Sequence, residues 1–129
     1  MAKILVVDDN KDMCLALSDI LKEDGYQVEI AQTGKFALIR IKAIEPDVVV
    51  LDYNLSGVSS IPILKEALCV FPSLKVIMIS AYAPETAKAA AKKLGAHYFL
   101  DKPFDIKKFS KIIKKILAKD KVLEKKNTR

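Results

Sequence analysis

The sequence contains no tryptophan, one histidine, two cysteines and no apolar run of transmembrane length. Apolar runs such as Val48–Leu51 and Val76–Ile79 are far shorter than the roughly 20 residues that a membrane-spanning helix needs. Cys14 and Cys69 lie in helical patterns, without CxxC spacing and without a histidine nearby in sequence, so we interpret both as reduced packing residues. The lone histidine, His97, stands beside a strand-like segment and is interpreted as an edge or surface residue rather than a phosphodonor or metal ligand. These absences argue against a membrane protein and a disulfide-stabilised domain.

A secretion leader is also missing from the first residues. Met1–Lys3 passes directly into the apolar segment Ile4–Val7, with no charged-then-apolar leader and no small-residue cleavage site. We therefore expect a cytoplasmic protein without a membrane partner. Hydrophobic residues make up 51% of the 129 residues, which is enough for one domain to bury a core without disulfides or structural metal.

The net charge of +6 comes from one end of the chain. Residues 101–129 contain eleven Lys or Arg and four acids, whereas residues 1–100 contain eleven and twelve. We interpret the basic end as a solvated helix face followed by a frayed terminus, with contact to nucleic acid or an acidic partner as the alternative. Direct nucleic-acid binding is disfavoured, because this end has neither interleaved aromatic residues nor a helix-turn-helix pattern.

Short β-rich segments alternate with helical periodicity five times, which predicts an α/β fold with a doubly wound parallel sheet covered on both faces. Three of the segments are nearly continuous apolar runs, as expected of central strands that are buried on both faces. The second segment alternates instead, which suits an edge strand. The predicted strands are Lys3–Asp8, Gln27–Ala31, Asp47–Asp52, Lys75–Ser80 and His97–Leu100.

The segments between and after these strands have the apolar spacing of helices, and most end at a helix-breaking or capping residue. They span Asp12 to Asp24, about Gly34 to Ile44, Ser59 or Ser60 to the residue before Pro72, Pro84 to Leu94, and Asp105 to about Ala118. The fourth helix is rich in alanine and weakly apolar, so it gains little from burial and should shift at modest cost. We predict one domain over residues 1–118 and a charged tail or the start of a linker over residues 119–129.

The carboxyl ends of the predicted strands carry polar side chains. Asp8 and Asp9 follow the first apolar run, Asp52 ends the third strand, and Ser80 ends the fourth. Lys102 follows the fifth strand. Because ligands of an open parallel sheet bind beyond the carboxyl ends of its strands, we expect three carboxylates, one hydroxyl and one ammonium to meet at a single edge.

Such a cluster points to metal-assisted phosphate chemistry. Three neighbouring carboxylates repel one another, and a bound cation offsets their charge. A few hard oxygen ligands with room for water suit Mg²⁺. Phosphoryl transfer to a carboxylate is the chemistry that follows, with Lys102 as a point charge for a phosphate oxygen and Ser80 as a hydroxyl donor. Each signal is weak alone, and their joint occurrence at strand ends carries the prediction.

Four segments resemble the response-regulator receiver family. They are Ile4–Asp9, Pro46–Asp52, Val76–Ala81 and Gly95–Asp105, and the resemblance covers about residues 3 to 118. It implies a flavodoxin-like fold with five parallel strands in the order 2-1-3-4-5 and five helices. It also implies a phosphorelay receiver in two-component signalling rather than an enzyme, with at most self-phosphorylation and self-dephosphorylation.

The resemblance assigns roles to individual residues at the strand ends. It implies that Asp52 accepts a phosphoryl group from a histidine kinase or a histidine phosphotransfer protein. It further implies that Mg²⁺ is held by Asp8, Asp9 and Asp52 together with the main-chain carbonyl of Asn54.

The same resemblance implies a switch. Ser80 and Lys102 would contact the phosphoryl group, and Phe99, three residues before the lysine, matches the family's switch aromatic. The surface around the fourth helix, fifth strand and fifth helix would then rearrange toward a downstream effector or an attached output domain. The implied oligomeric state is a monomer or a phosphorylation-dependent dimer.

The loop after the third strand departs from the family pattern. Ser56 and Ser60 stand where the family commonly has proline and glycine, while Gly57 is kept. This departure concerns the rigidity of the loop rather than the chemistry. Asn54 and Tyr82 occupy positions that tune phosphoryl hydrolysis in the family.

Two alternatives start from the same residues. A haloacid-dehalogenase-like phosphatase also uses a strand-end aspartate, a serine or threonine, a lysine and Mg²⁺. Such an enzyme needs a second acid where this chain has Asn54, and the chain has no room for a substrate cap. Alternatively, the chain is the regulatory part of a longer regulator, with Lys119–Arg129 as the start of a linker to an output domain.

Overall fold

Seven strands occur in the computed structural model, which describes the backbone of residues 1–127 and the side chains of residues 1–118. They are β1 (Lys3–Val7), β2 (Gln27–Ala31), β3 (Val48–Asp52), β4 (Asn54–Leu55), β5 (Val58–Ser59), β6 (Lys75–Ser80) and β7 (Tyr98–Asp101). Five of them form one parallel sheet in the order β2-β1-β3-β6-β7, and β4 pairs with β5 separately. For the five predicted strands this is the order 2-1-3-4-5, so the predicted fold is confirmed.

The small hairpin of β4 and β5 was not predicted. Its strands are antiparallel, and Ser56 and Gly57 form the turn between them. Both turn residues have positive φ angles, 53° and 83° respectively, as the central residues of a type I′ turn do. Two residues per strand are too few to produce the alternation by which a strand is predicted from sequence.

The five helices are α1 (Lys11–Glu23), α2 (Gly34–Ile44), α3 (Ile61–Val70), α4 (Glu85–Leu94) and α5 (Ile106–Asn127). Side-chain caps explain where the first two begin, because Asn10 accepts a hydrogen bond from Met13 and Thr33 accepts one from Phe36. Pro84 is the cap residue of α4 rather than part of its first turn. The other starts agree with prediction to within one or two residues.

The end predicted for the last helix, near Ala118, is wrong. Helix α5 continues to Asn127, because residues 118–127 contain neither glycine nor proline and are rich in good helix formers. The predicted boundary between a domain and a tail at residue 118 therefore lies within α5. The interpretation of residues 119–129 as a tail or linker stays a prediction, and its last two residues lie outside the described part of the chain.

The helices cover both faces of the sheet and enclose two cores. One core lies under α1 and α5 and includes Ile4, Val6, Val48, Val50, Ile77, Ile79 and Phe109. The other lies under α2, α3 and α4 and includes Leu5, Val7, Val49, Leu51, Val76 and Met78. Alternate residues of the central strands point to opposite faces, which explains why these strands are apolar almost throughout.

Three further findings bear on the sequence predictions. Cys14 is buried and packs in the first core, whereas Cys69 is exposed, so its interpretation as a packing residue is wrong. His97 is exposed just before β7, as expected of an edge residue. Within residues 1–127, none of the helices combines the length and the apolar character that a bilayer span requires.

Candidate functional site

Three of the predicted site residues meet at the carboxyl edge of the sheet. Asp8 follows β1, Asp52 ends β3, and Lys102 follows β7. The Nζ atom of Lys102 lies 3.0 Å from Asp8 Oδ2 and 3.0 Å from Asp52 Oδ2. Both carboxylates are buried, with residue exposures of 0% for Asp8 and 6% for Asp52. The single ammonium group therefore bridges two carboxylates that have little water to offset their charge.

Asp9 completes an acidic cluster at this edge. Among the described residues, carboxylate oxygens of Asp8, Asp9 and Asp52 come within 4.8 Å of one another and could hold a metal ion. Asp9 is the exposed member of the three. Carboxylate oxygens are hard ligands that suit Mg²⁺ or Ca²⁺ rather than zinc.

The two buried carboxylates are oriented in the same way by the chain itself. The main-chain N–H of Asn10 donates to Asp8 Oδ1 at 2.9 Å, and that of Asn54 donates to Asp52 Oδ1 at 3.1 Å. In each case the donor lies two residues after the acid, which is a local turn that aspartate favours. The Oδ2 atoms are left to contact Lys102.

Burial and charge shift the pKa values of two of these groups. Desolvation raises the pKa of Asp52 against the opposing effect of hydrogen bonds from Asn54 and Lys102, and the charge of Asp8 raises it further. Desolvation of Lys102 disfavours its ammonium form, but the hydrogen bonds to Asp8 and Asp52 outweigh this and raise the pKa of Lys102. Lys102 is therefore charged at neutral pH.

Ser80 ends the strand next to β3 and is also buried. Its Oγ accepts a hydrogen bond from the main-chain N–H of Tyr82 at 3.0 Å, which leaves the hydroxyl hydrogen available as a donor. The main-chain N–H of Lys102 donates to the carbonyl of Ser80 at 2.7 Å. This bond links the backbone that carries Lys102 to the end of β6. The peptide bond between Lys102 and Pro103 is cis.

Phe99, the predicted switch aromatic, lies half-buried on β7 and packs with the second core. Its ring centroid is 6.3 Å from that of Tyr53, which directly follows the predicted phosphoacceptor. Lys88 Nζ of α4 lies 5.8 Å from the Phe99 centroid and 3.0 Å from Asp101 Oδ1. The aromatic is thus close both to the residue that follows β3 and to helix α4.

Sequence reasoning missed the contacts of the loop serines. The main-chain N–H of Ser56 donates to Asp9 Oδ2 at 3.0 Å, and Ser60 Oγ donates to the main-chain carbonyl of Asp52 at 2.6 Å. The loop is therefore hydrogen-bonded to the acidic cluster although it lacks the family's proline and glycine. The adjacent serines Ser59 and Ser60 were the available signal, but we interpreted them as the start of a helix, and Ser60 also as a departure from the family's loop pattern. For Asn54, the structure shows a side-chain bond from Gly57 N–H at 2.8 Å, and the metal contact of its carbonyl stays a prediction.

Comparison with known proteins supports the resemblance seen in the sequence. Residues 4–114 match the family described as the response regulator receiver domain. The chain belongs to this family. Receiver domains are signalling modules of two-component response regulators rather than enzymes in the usual sense, and this applies to the matched part of the chain.

Curated relatives fall into two groups by length. The chain is 35% identical over 115 residues to sporulation initiation phosphotransferase F of Bacillus subtilis, covering 89% of this chain and 93% of that protein. It is 31% identical over 115 residues to the chemotaxis protein CheY of Thermotoga maritima, covering 88% and 96% respectively. It is 33% identical to the transcriptional regulatory protein ZraR of Escherichia coli K12, but spans only 26% of that protein.

Solved structures show the same division. A CheY-like receiver domain protein from Methanospirillum hungatei superposes with a TM-score of 0.87 and 28% identity, over 94% of this chain and 98% of that chain. NtrX from Brucella abortus superposes with a TM-score of 0.89 and 30% identity, over 99% of this chain but only 29% of NtrX. The fold is thus that of single-domain receivers and of the receiver part of longer regulators.

Proposed function

We propose that this domain accepts a phosphoryl group on Asp52, from a histidine kinase or a histidine phosphotransfer protein, in a Mg²⁺-dependent reaction in the cytoplasm. The observation that carries the proposal is the contact of Lys102 with both Asp8 and Asp52 at the carboxyl edge of the sheet. The names of the similar proteins, a phosphotransferase and a chemotaxis protein, are those of signalling proteins and support it.

In this reaction the carboxylate of Asp52 attacks the phosphorus of the donor. The bond between phosphorus and the donor's imidazole nitrogen breaks, and the nitrogen keeps the electron pair. Lys102 is already 3.0 Å from Asp52 Oδ2, so its ammonium can stay close as negative charge moves onto the phosphoryl oxygens. The acyl phosphate that results would later be lost by hydrolysis. Self-phosphorylation and self-dephosphorylation are the most that we propose this domain catalyses.

The acidic cluster fits Mg²⁺ because its three carboxylates bring hard oxygen ligands within 4.8 Å of one another. We assign the ion to Asp8, Asp9 and Asp52, with the main-chain carbonyl of Asn54 as a further ligand. When bound, Mg²⁺ would offset the negative charge of the phosphoryl group. The exposure of Asp9 leaves one side of the cluster open to solvent.

The proposed switch uses the hydroxyl of Ser80 and the ring of Phe99. The hydroxyl of Ser80 acts only as an acceptor, from the main-chain N–H of Tyr82, in the described part of the chain. Its hydrogen can therefore bind a phosphoryl oxygen. Movement of the loop at Tyr82 would allow Phe99 to turn inward and would change the surface of α4, β7 and α5. The target is a downstream effector or an attached output domain, and we propose a monomer or a phosphorylation-dependent dimer.

Intact-mass spectrometry after incubation with acetyl phosphate and Mg²⁺ tests the phosphoacceptor. We expect wild type to gain one phosphoryl group, and we expect Asp52→Asn or addition of EDTA to abolish the gain. The matched control is Asp47→Asn, which removes an aspartate at the opposite end of β3, where it contacts Lys3. Labelling of Asp52→Asn equal to that of wild type would refute Asp52 as the acceptor.

Thermal unfolding with and without Mg²⁺ tests the metal assignment independently of labelling. Lys102 competes with a cation for Asp8 and Asp52, so Lys102→Met should bind Mg²⁺ more tightly than wild type. We expect Mg²⁺ to raise the melting temperature of this variant more than that of wild type. An Asp9→Asn variant that responds to Mg²⁺ as wild type does would remove Asp9 from the ligand set.

A further inference from the structure

Ser60 makes two hydrogen bonds to the segment that carries the predicted phosphoacceptor. Its hydroxyl donates to the main-chain carbonyl of Asp52 at 2.6 Å. Its main-chain N–H donates to the next carbonyl, that of Tyr53, at 2.7 Å. Ser60 is 1% exposed, so neither bond competes freely with water. One residue of the loop thus holds two successive peptide groups at the end of β3.

The sheet itself leaves the carbonyl of Asp52 without a strand partner. In a strand, the N–H and C=O groups of one residue point toward the strand on one side, and those of the next residue point toward the strand on the other side. The N–H of Tyr53 points toward β6, where it donates to the carbonyl of Ile79. The carbonyl of Asp52 therefore points toward β1. That strand ends at Val7, whose partner in β3 is Leu51, so the pairing stops before this carbonyl is reached. The hydroxyl of Ser60 takes the place of the missing strand.

The neighbouring serine shows that this role is specific to Ser60. Ser60 stands at the cap position of α3, but its side chain makes no cap hydrogen bond. Instead, the Oγ of exposed Ser59 accepts from the N–H of Ile61 at 3.2 Å. The hydroxyl of Ser60 is thus directed away from the helix and toward Asp52.

We propose that Ser60 is a positioning residue for the phosphoacceptor, whose hydroxyl sets the direction in which the Asp52 carboxylate leaves the backbone. Asp52 is then held at three atoms: its carbonyl by Ser60, Oδ1 by the N–H of Asn54, and Oδ2 by Lys102. This inference rests on the proposed function of Asp52. Glycine, common at this place in the family, offers no hydroxyl, so family members with glycine lack this contact.

The rate constant for labelling by acetyl phosphate, at saturating donor and Mg²⁺, tests this role. A misplaced nucleophile lowers the rate of the chemical step, so we expect Ser60→Ala and Ser60→Gly to label about tenfold more slowly than wild type. Ser60→Thr retains the hydroxyl and should label close to the wild-type rate. The matched control, Ser59→Ala, removes the neighbouring hydroxyl and should leave the rate unchanged.

Two further readouts separate positioning from loss of stability. All variants are compared at a temperature at which circular dichroism shows them folded, and the Mg²⁺ affinity of each is measured by the shift in melting temperature. A hydroxyl that only stabilises the fold would lower the melting temperature of Ser60→Ala and leave its labelling rate unchanged, and that result would overturn the inference. If wild type does not label at all, the proposed function fails and this inference fails with it.

Discussion

Helices α5 and α4, which lie on opposite faces of the sheet, are held to it by different means. On one face, α5 buries the large side chains of Phe109, Ile112, Ile113 and Ile116 within its described part. On the other face, α4 buries a single side chain completely, that of Ala91, among the residues described. Since burial of apolar surface is the main stabilising contribution, α5 is anchored far more strongly than α4.

Besides the packing of Ala91 and the partly buried Leu94, helix α4 makes polar contacts with the sheet. Lys88 pairs with Asp101 of β7 at 3.0 Å and lies over the ring of Phe99. Exposed ion pairs contribute little to stability. The comparison teaches that the weakly packed helix, α4, is the one that contacts the predicted switch aromatic. A helix held in this way can move without unfolding the domain.

The largest expected effect is that of removing an anchor of α5. Phe109→Ala should lower the free energy of unfolding by about 3–5 kcal/mol, because it leaves a cavity in the core under α1 and α5. Urea denaturation measures this loss. Phe36→Ala on α2 is the control, because Phe36 is 47% exposed and its loss should cost much less. Equal losses for the two variants would contradict the comparison.

A smaller effect is expected at the one completely buried side chain of α4. Ala91→Gly should lower the free energy of unfolding by about 1 kcal/mol from helix propensity, plus a small loss of packing. Ala90→Gly, at an exposed position of the same helix, carries the propensity cost alone. The difference between the two in urea denaturation gives the contribution of packing. A difference as large as the loss at Phe109 would show that α4 is anchored as firmly as α5.

A still smaller effect on global stability is expected at Lys88. Lys88→Gln should break the contact of α4 with Asp101 and speed amide hydrogen exchange in α4, while exchange in β1 and β3 stays the same. Lys93→Gln removes the same charge from an exposed position of α4 and serves as the control. Hydrogen-exchange mass spectrometry resolves these segments. Unchanged exchange in α4 of Lys88→Gln would mean that apolar contacts alone hold this helix.

The smallest effect concerns pH. The hydrogen bond to Asp101 raises the pKa of Lys88 above its ordinary value of 10.5. A raised folded-state pKa means that the contact stabilises fully below 10.5 and that this contribution is lost as pH rises through the folded-state pKa. At a pH above the folded-state pKa of Lys88, the melting temperature of wild type should therefore approach that of Lys88→Gln. A difference between the two that does not change with pH would show that the charge of Lys88 does not act through this contact.

Much of the fold followed from local patterns in the chain. The apolar runs of β1, β3 and β6 and the alternation of β2 were sufficient to predict the sheet and which strands are central. The hairpin after β3 was missed because its strands have two residues each. The length of α5 was underestimated, because loss of the apolar pattern was interpreted as the end of the helix although no residue there breaks it.

For the candidate site, position in sequence was sufficient for the acids and the lysine. Residues at the carboxyl ends of parallel strands meet at one edge, so Asp8, Asp52 and Lys102 could be placed at the same edge from the parallel arrangement of the strands. The bridging contact of Lys102 with both acids could not be predicted, because it depends on side-chain directions after three separate strands. The contact of Ser60 with Asp52 was missed for a similar reason, since its hydroxyl had an equally reasonable partner in the helix it precedes.

The sequence by itself determined the α/β architecture, the apolar faces of the strands and the set of polar residues at their carboxyl ends, because these depend on periodicity and on the alternation of strands with helices. Only the tertiary structure decided which of two serines caps α3 and which holds the phosphoacceptor backbone, and that Lys88 connects α4 to β7. The contact of Lys88 joins segments that are separated in sequence, and the two serine hydroxyls could each have bound the first N–H groups of α3. Their outcome depends on distances that exist only once the sheet and its helices have packed.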